Sequence, residues 1–533
     1  MCEITCENFY SELPAIETAI KESAFVSIDM EFSKLHENIA KPFTFFDTNG
    51  ERYSKLRQKV ADITCLQLGL AIFIYDSNNK TFKSYTYSFY TYPQTFFKAD
   101  SVVSFETACI EFLCKHKFDF NKLFRNRVPY LTDEQELQMK TEMLKASFFD
   151  QYFETNLKFR SIEEELIKTI RIFGDWYFQA NYGEQTCMEI NGCNEPAYII
   201  LMQYYLLKKF KYISIQESQF GLNITKIEAN ENSETSRNHI YENLKINLLN
   251  KMMGIKYIIN LISTLKKPLI GHNCALDILI LCNQFFKPLP ENFKDYQYFL
   301  SNHFGPIYDT KLLSKEVKRM MPKNDIWLGS SLSEIHSYLK CGYAKIYSDS
   351  LRIQLVGIEE PESMKWHDAG WDAYYTGYCF LKMMHIIKNI SSKTETIHQK
   401  YTLTELMKSI EFSKNKLYTY RSASNCIDLE SEEKLNNQIN YLVIQNKGLF
   451  YKAIDLKKLN YDLDKICNYD IKLLSKYTAL IAIPFMNNRI IYNLNSKYRV
   501  ENYSQYQDRK RKQHIISLSL IILSTSIIIY LKK

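Results

Sequence analysis

Two acids, Asp29 and Glu31, stand at positions i and i+2 of the apolar, β-branched run Phe25 to Phe32. Alternate side chains of a strand project from one face, so both carboxylates would share one side. Such neighbours repel each other and sit poorly in a core unless a cation lies between them; the alternative is a strand end with two solvated acids. A third acid, Asp277, follows the apolar stretch Pro268 to Ile270 and Gly271, at the head of the helical-period segment Ala275 to Phe286. An acid there suits either a crevice-facing ligand or the positive end of a helix dipole. Asp372 falls in the first turns of the helix expected beyond Gly370, and His367 lies on the loop before it, free to lean over the same crevice.

Four ordered acids and one imidazole are the composition of a two-metal phosphodiester-cleaving centre. Two Mg²⁺ ions about 3.5 to 4 Å apart would hold the attacking water and the leaving oxygen of an in-line displacement. Asp29 is placed to bridge both. A neutral His367, with an unperturbed pKa of about 6.5, can accept the water's proton at neutral pH. The oxygen donors prefer Mg²⁺, with Mn²⁺ an alternative, to zinc, for which the chain offers no Cys-x-x-Cys and no tight Cys/His cluster.

These segments resemble the poly(A)-specific ribonuclease (PARN) branch of the DEDDh 3′-5′ exoribonucleases. Phe118 to Asn126, Val128-Pro129-Tyr130-Leu131 and Tyr308 to Leu313 extend the resemblance, which covers roughly residues 1 to 390. It implies Asp29, Glu31, Asp277 and Asp372 as metal ligands, His367 as general base, and Phe32 and Asn273 as substrate contacts. Asp309 reads as a structural residue beside them. In the tyrosine-type relatives a Tyr stands four residues before the last Asp; that position is Asp368 here, so the chain matches the histidine type.

The elements that must position these groups follow from length and pattern. With 533 residues the chain exceeds one ordinary core, and with 46% hydrophobic and 24% charged residues it is globular. A net charge of +7 leans modestly toward polyanions, and thirteen cysteines without regular spacing read as reduced core residues. No secretory signal opens the chain. Strands are expected over 24–32, 63–75 and 84–92, a helix over 105–114, and a capped helix after Thr132-Asp133-Glu134-Gln135. The expected class is α/β: a ribonuclease H-like (DEDD exonuclease) domain in two parts, 1–149 and 246–395, split by an accessory domain at 150–245. In the family a small nucleic-acid-binding domain with an Arg-x-x-x-His signature occupies that place, and no such pair stands here. Residues 400–505, with extended segments expected at 441–444, 480–484 and 489–492 and a helix at 454–463, resemble an RNA-recognition-like (RRM-like) α+β domain. The last tryptophan is Trp371, which excludes an indole-based cap pocket there.

Residues 513–531 read as a transmembrane tail anchor, flanked by Arg509-Lys510-Arg511-Lys512 and Lys532-Lys533. The run of 17 residues from Ile515, apolar apart from Ser517, Ser519, Ser524, Thr525, Ser526 and Tyr530, would make about 25 Å of helix, the lower limit for a span. An interfacial or buried C-terminal helix is the alternative. The basic flanks place the catalytic domains in the cytosol, on the mitochondrial outer membrane or, second, the endoplasmic reticulum. Given that resemblance, three functions compete: a membrane-anchored exoribonuclease that trims pre-piRNA 3′ ends and releases nucleoside 5′-monophosphates, a general poly(A) deadenylase, and a catalytically silent RNA-binding scaffold. The expected partners are a single-stranded RNA 3′ end, a Piwi-type Argonaute presenting it, and a membrane-bound adaptor.

Overall fold

The computed structural model describes residues 2–35, 42–93, 102–155, 160–189, 196–218, 221–228, 234–286, 288–322, 329–361, 364–392, 399–431, 439–447, 452–464, 467–484, 486 and 488–531. The side chains of 152–167, 189–198, 234–237 and 520–531 lie outside that description. The chain forms two compact units. One comprises Met1–Glu37 with Leu56–Tyr418, the other Asn38–Lys55 with Thr419–Lys533.

The first unit is built on a mixed sheet. Its strand order is Cys2–Ile4, Thr81–Tyr90, Cys65–Asp76, Phe25–Phe32, Leu269–Gly271, Ile307–Asp309 and Lys416–Tyr418, and Ile353–Leu355 also pairs with Thr81–Tyr90. The Phe25–Phe32 strand is central, antiparallel to Cys65–Asp76 and parallel to Leu269–Gly271. Helix Ala369–Ser392 crosses one sheet face and is buried along most of its 24 residues. Phe25 stacks on Phe73 at 4.7 Å and meets Phe380 edge-on at 5.2 Å, so the aromatic positions of two strands and this helix form the core. Cys65, Cys274 and Cys379 are buried free thiols.

The expected strands and helices of this unit appear with ends moved by one to a few residues, and the Thr132 capping box is present on helix Asp133–Met143. The inserted region shares a second apolar core with its flanks, from Leu131 to Met253, in which the helices Pro196–Lys209 and Glu234–Met253 pack with the sheet Gln185–Glu189, Gly221–Lys226, Ile213–Ser218. Most of its polar run, residues 229–237, lies outside the described side chains. Next to this core, Lys256 is fully buried and is held by Asp133 at 2.7 Å and Glu136 at 2.9 Å, which compensates its desolvation.

The second unit contains an antiparallel sheet ordered Asp470–Ser475, Thr478–Ile483, Asn440–Asn446, Tyr498–Asn502. Leu442, Ile444, Ala479, Ile481 and Ile483 face the helices Leu456–Asp464 and Asn488–Lys497. Residues 489–492, expected to be extended, lie in that second helix: Ile490 and Leu494, four apart, are its buried pair, a helical spacing masked by a short local run of apolar residues. On the opposite face Tyr441 and Ala482 pack with Phe45 from the Asn38–Lys55 segment. Tyr441 Oη donates to the Phe45 carbonyl at 3.0 Å, and the Phe45 N–H donates to Asp470 at 2.6 Å. The chain itself therefore covers part of this sheet face.

The C-terminal residues form helix Tyr503–Leu531. Among the described residues no helix is long and apolar enough to cross a membrane. The expected span at 513–531 falls largely on residues 520–531, outside the described side chains.

Candidate active site

The site begins with a close approach of helix to sheet. In the register of the central pair, Asp29 lies opposite Gly69 and Glu31 opposite Gln67. A Cβ on Gly69 would stand 1.7 Å from the Ala369 carbonyl oxygen, so the helix can start here only because residue 69 has no side chain. Gln67 Oε1 accepts the Ala369 N–H at 3.2 Å, and Ser27 Oγ donates to the Ala373 carbonyl at 2.7 Å. Asp368 Oδ1 accepts the Gly370 N–H at 3.1 Å, acting as the cap of this helix. These contacts bring Asp372 over the strand that carries Asp29 and Glu31.

Asp277 arrives from the parallel neighbour, in the first turn of helix Ala275–Phe285. The loop before it is held by Asp309, which is 1% exposed. Its Oδ1 accepts the N–H groups of Asn273 and Lys311, both at 2.9 Å; its Oδ2 accepts those of Cys274 at 3.2 Å and Tyr418 at 2.9 Å. Asn273 is exposed with φ +58°, a conformation that Asn tolerates better than most residues and that Asp309 fixes. Phe32 is half-buried just past the register shift that follows Glu31, where it pairs with Cys65.

Burial and neighbouring charge act on all four acids. Burial raises the Asp29 carboxyl well above its usual range, and the charges of Asp372, Asp277, Glu31 and Asp368 raise it further. Glu31 is raised by burial first, then by Asp372, Asp368 and Asp277. Asp277 is pushed up to about 7 by burial, with Asp309 adding to the rise. Asp372 is pushed up to about 7 by burial and Asp368, although the His367 N–H opposes the rise. Repelling carboxylates at one sheet edge need positive charge. Asp372 Oδ1 is buried with no hydrogen-bond partner among the described residues. Ligand atoms of Glu31, His367 and Asp372 lie within 4.8 Å of one another. Two carboxylates and an imidazole this close, one carboxylate oxygen being buried without a partner among the described residues, fit a divalent cation.

His367 is exposed and has φ +63°; its backbone N–H donates to Asp372 Oδ2 at 2.8 Å. Its ring touches two others: His116 at a centroid distance of 4.2 Å and Phe112 at 4.8 Å. Burial first and His116 second pull the His367 imidazole below its usual value, which favours its unprotonated form. The structure thus brings ligand atoms of Glu31, His367 and Asp372 together, with Asp29 and Asp277 among the charges acting on this cluster and Phe32 and Asn273 on the elements that carry the acids. Sequence reasoning missed Gly69, Gln67, Phe112 and His116. Nothing in their local pattern marks them, because each acts on a residue hundreds of positions away or on another strand.

The chain matches the CAF1 family ribonuclease model over residues 4–380. It is 29% identical over 515 residues to the "Pre-piRNA 3'-exonuclease trimmer" of Bombyx mori, covering 95% of this chain and 94% of that protein. It is 27% identical over 538 residues to the human "Poly(A)-specific ribonuclease PARN", covering 96% of this chain and 81% of that protein. Among solved structures, the Mg²⁺- and Mn²⁺-bound form of S. pombe Pop2p aligns with a TM-score of 0.34 at 15% identity, covering 78% of this chain and 98% of that one.

Proposed function

The chain belongs to the CAF1 family of ribonucleases, and on that premise we propose that it is a metal-dependent 3′-to-5′ exoribonuclease of the histidine (DEDDh) type that trims the 3′ ends of small-RNA precursors. The observation that carries this reading is the meeting of Glu31, Asp372 and His367, whose ligand atoms lie within 4.8 Å of one another, with the charges of Asp29 and Asp277 beside them. Divalent cations held by Asp29, Glu31, Asp277 and Asp372, two Mg²⁺ or Mn²⁺ by the chemistry of the donors, would supply an activated water and charge stabilisation at the phosphate.

The remaining work falls to the chain's own residues. A ring nitrogen of His367 takes the proton from the attacking water, and the bond from the His367 N–H to Asp372 holds that base against the acid cluster. Phe32 offers a half-buried ring to a nucleobase, where stacking contributes about 1 to 3 kcal/mol per base. Asn273, held in place by Asp309, offers an exposed amide to the sugar or phosphate. Hydrolysis in this direction releases nucleoside 5′-monophosphates.

Pre-piRNA as substrate is supported by similarity along nearly the whole chain to the Bombyx protein, whose name states that activity. The second reading, a poly(A) deadenylase, is supported by the similarity to human PARN. A silent scaffold is disfavoured by the filled acid and histidine positions. We further propose a degenerate nucleic-acid-binding module at 150–245, an RRM-like module at 400–505 with a packing role, and a tail anchor at 513–531 in the mitochondrial outer membrane. The anchor rests on the basic flanks and the apolar run of the tail. A membrane adaptor and a Piwi-type protein carrying the precursor are the partners this reading calls for.

The deciding experiment incubates the purified full chain with 5′-labelled RNAs, one poly(A)-tailed and one heteropolymeric and Piwi-bound, with and without Mg²⁺. Mg²⁺-dependent trimming of the bound precursor to a fixed length is expected. Preference for free poly(A) would favour deadenylation, and no shortening of either would refute the enzyme. Carbonate extraction of membranes tests the anchor, which fails if the full chain is released.

A further inference from the structure

Three rings meet beside the acid cluster, and only one of them has a role so far. Helix Thr107–Lys115 ends at His116, whose N–H closes the last turn on Leu113 at 3.1 Å. His116 is half-buried, and its ring centroid lies 4.2 Å from that of His367 at an interplanar angle of 59°. Phe112, one turn earlier on the same helix, lies 4.6 Å from His116 and meets His367 edge-on at 4.8 Å. Residues 112 and 116 are at i and i+4, so one helix face presents both rings together.

The helix is itself tied to the continuation of the strand that carries Asp29 and Glu31. The Glu106 N–H donates to the Ser33 carbonyl at 3.0 Å, and Glu106 Oε2 accepts the Leu35 N–H at 2.9 Å. One end of the helix is therefore fixed relative to the metal-binding strand while the other touches the proposed base. His367 needs such support. Its backbone sits in the left-handed region, its N–H is committed to Asp372, and its side chain is exposed, so the backbone sets where Cβ lies but leaves the imidazole free to rotate.

We infer that His116, backed by Phe112, is a positioning residue for this reaction: its ring packs against the imidazole of His367 and holds it in the orientation that reaches the attacking water. The inference rests on the reading of His367 as the base. His116 acts by shape and ring contact, so another ring at position 116 should serve and a methyl group should not. An offset or tilted aromatic contact restrains a side chain without consuming its nitrogens, which leaves the ring atoms of His367 available to water.

The test uses the full chain and four variants: H116A, H116F, H367A and the double variant H116A/H367A. Single-turnover and steady-state trimming of a 5′-labelled single-stranded RNA are measured in Mg²⁺, with RNA affinity and thermal unfolding as controls. A misplaced base costs rate and not affinity, so H116A should lower kcat roughly tenfold with KM and RNA affinity unchanged. H116F should recover most of that loss, and the double variant should be no slower than H367A, because a residue acting through another adds nothing once that other is gone. The proposal is overturned if H116A keeps full kcat, if it raises KM at constant kcat, if H116F is as slow as H116A, or if the two losses multiply in the double variant. Failure of the underlying reading is separately visible: H367A alone would retain wild-type kcat, which sinks both.

Discussion

The His367 N–H donates to Asp372 Oδ2 at 2.8 Å, so the proposed base and the last of the four acids are mechanically one group. The bond uses the backbone of one residue and the side chain of the other. His367 therefore keeps its ring for chemistry while Asp372 keeps Oδ1, buried and without a partner among the described residues, for a cation. This division separates two ways of damaging the site.

Asp372→Asn retains an oxygen that can accept the His367 N–H but removes the negative charge that a cation needs. RNA trimming should fall at least about a hundredfold in a chain that still folds, since the carboxylate supplies the charge that a divalent ion needs. Asp29→Ala should behave alike. Full activity in either purified variant sinks the metal assignment.

Gly69→Ala tests the helix approach. The added methyl would lie 1.7 Å from the Ala369 carbonyl oxygen, backbone that cannot swing away, so the head of the helix must lift from the strand carrying Asp29. A displacement of about 1 Å at a reacting centre costs about a hundredfold in rate. The expectation is a loss of that order together with a lowered melting temperature. An unperturbed enzyme would show that the helix start has slack.

Asp309→Asn addresses the loop that carries Asn273. Asp309 accepts four backbone N–H groups, and an amide can satisfy at most part of them while turning its own NH₂ toward donors. Leaving a buried donor unmade costs about 1 to 3 kcal/mol. Urea unfolding should show a loss of that size, and KM for RNA should rise as Asn273 loosens; a midpoint equal to wild type would contradict the hub role.

Without divalent cations, stability should fall as pH rises. Asp277 and Asp372 titrate at about 7 in the folded chain, against about 3.9 for an unfolded aspartate. The folded state holds protons that the unfolded state has released, so the contribution is complete below the unfolded value and is lost as pH rises through about 7. Buried His272 and His336, lowered to about 3 and about 4, act in the other direction. Their contribution is present above about 6.5 and is lost as pH falls through those values. Melting of chelator-treated protein between about pH 6.5 and about 8.5 therefore reports the acids, opposed near the upper end by buried Lys382, whose amine burial lowers to about 8. The melting temperature should drop across that interval, Mg²⁺ should restore it at the upper end, and Asp372→Asn should flatten the slope. A cation-free profile that rises with pH would contradict the crowding of the carboxylates.

Local physics made much of this chain readable from its residues. Alternation placed Asp29 and Glu31 on one face of a strand, the Thr132 capping box marked its helix start, and the glycine-to-helix junction put Asp277 in a first turn. Such signals act over a few residues, where spacing alone sets geometry. Residues 489–492 were misread because a short apolar run suits either period, and only the core that Ile490 and Leu494 face selects the helix. The assignment of residues 38–55 to the C-terminal unit, through Phe45 on Tyr441 and Asp470, had no local mark at all.

By itself, the sequence determined which residue types could hold cations and move a proton, and on which kind of element each would stand, because backbone periodicity is a local property. Only the tertiary structure decided that Gly69 lets a distant helix touch the strand, that Asp309 ties the loop of Asn273, and that His116 meets His367. Those are contacts between segments far apart in the chain, chosen by packing and hydrogen-bond satisfaction once the sheet has closed.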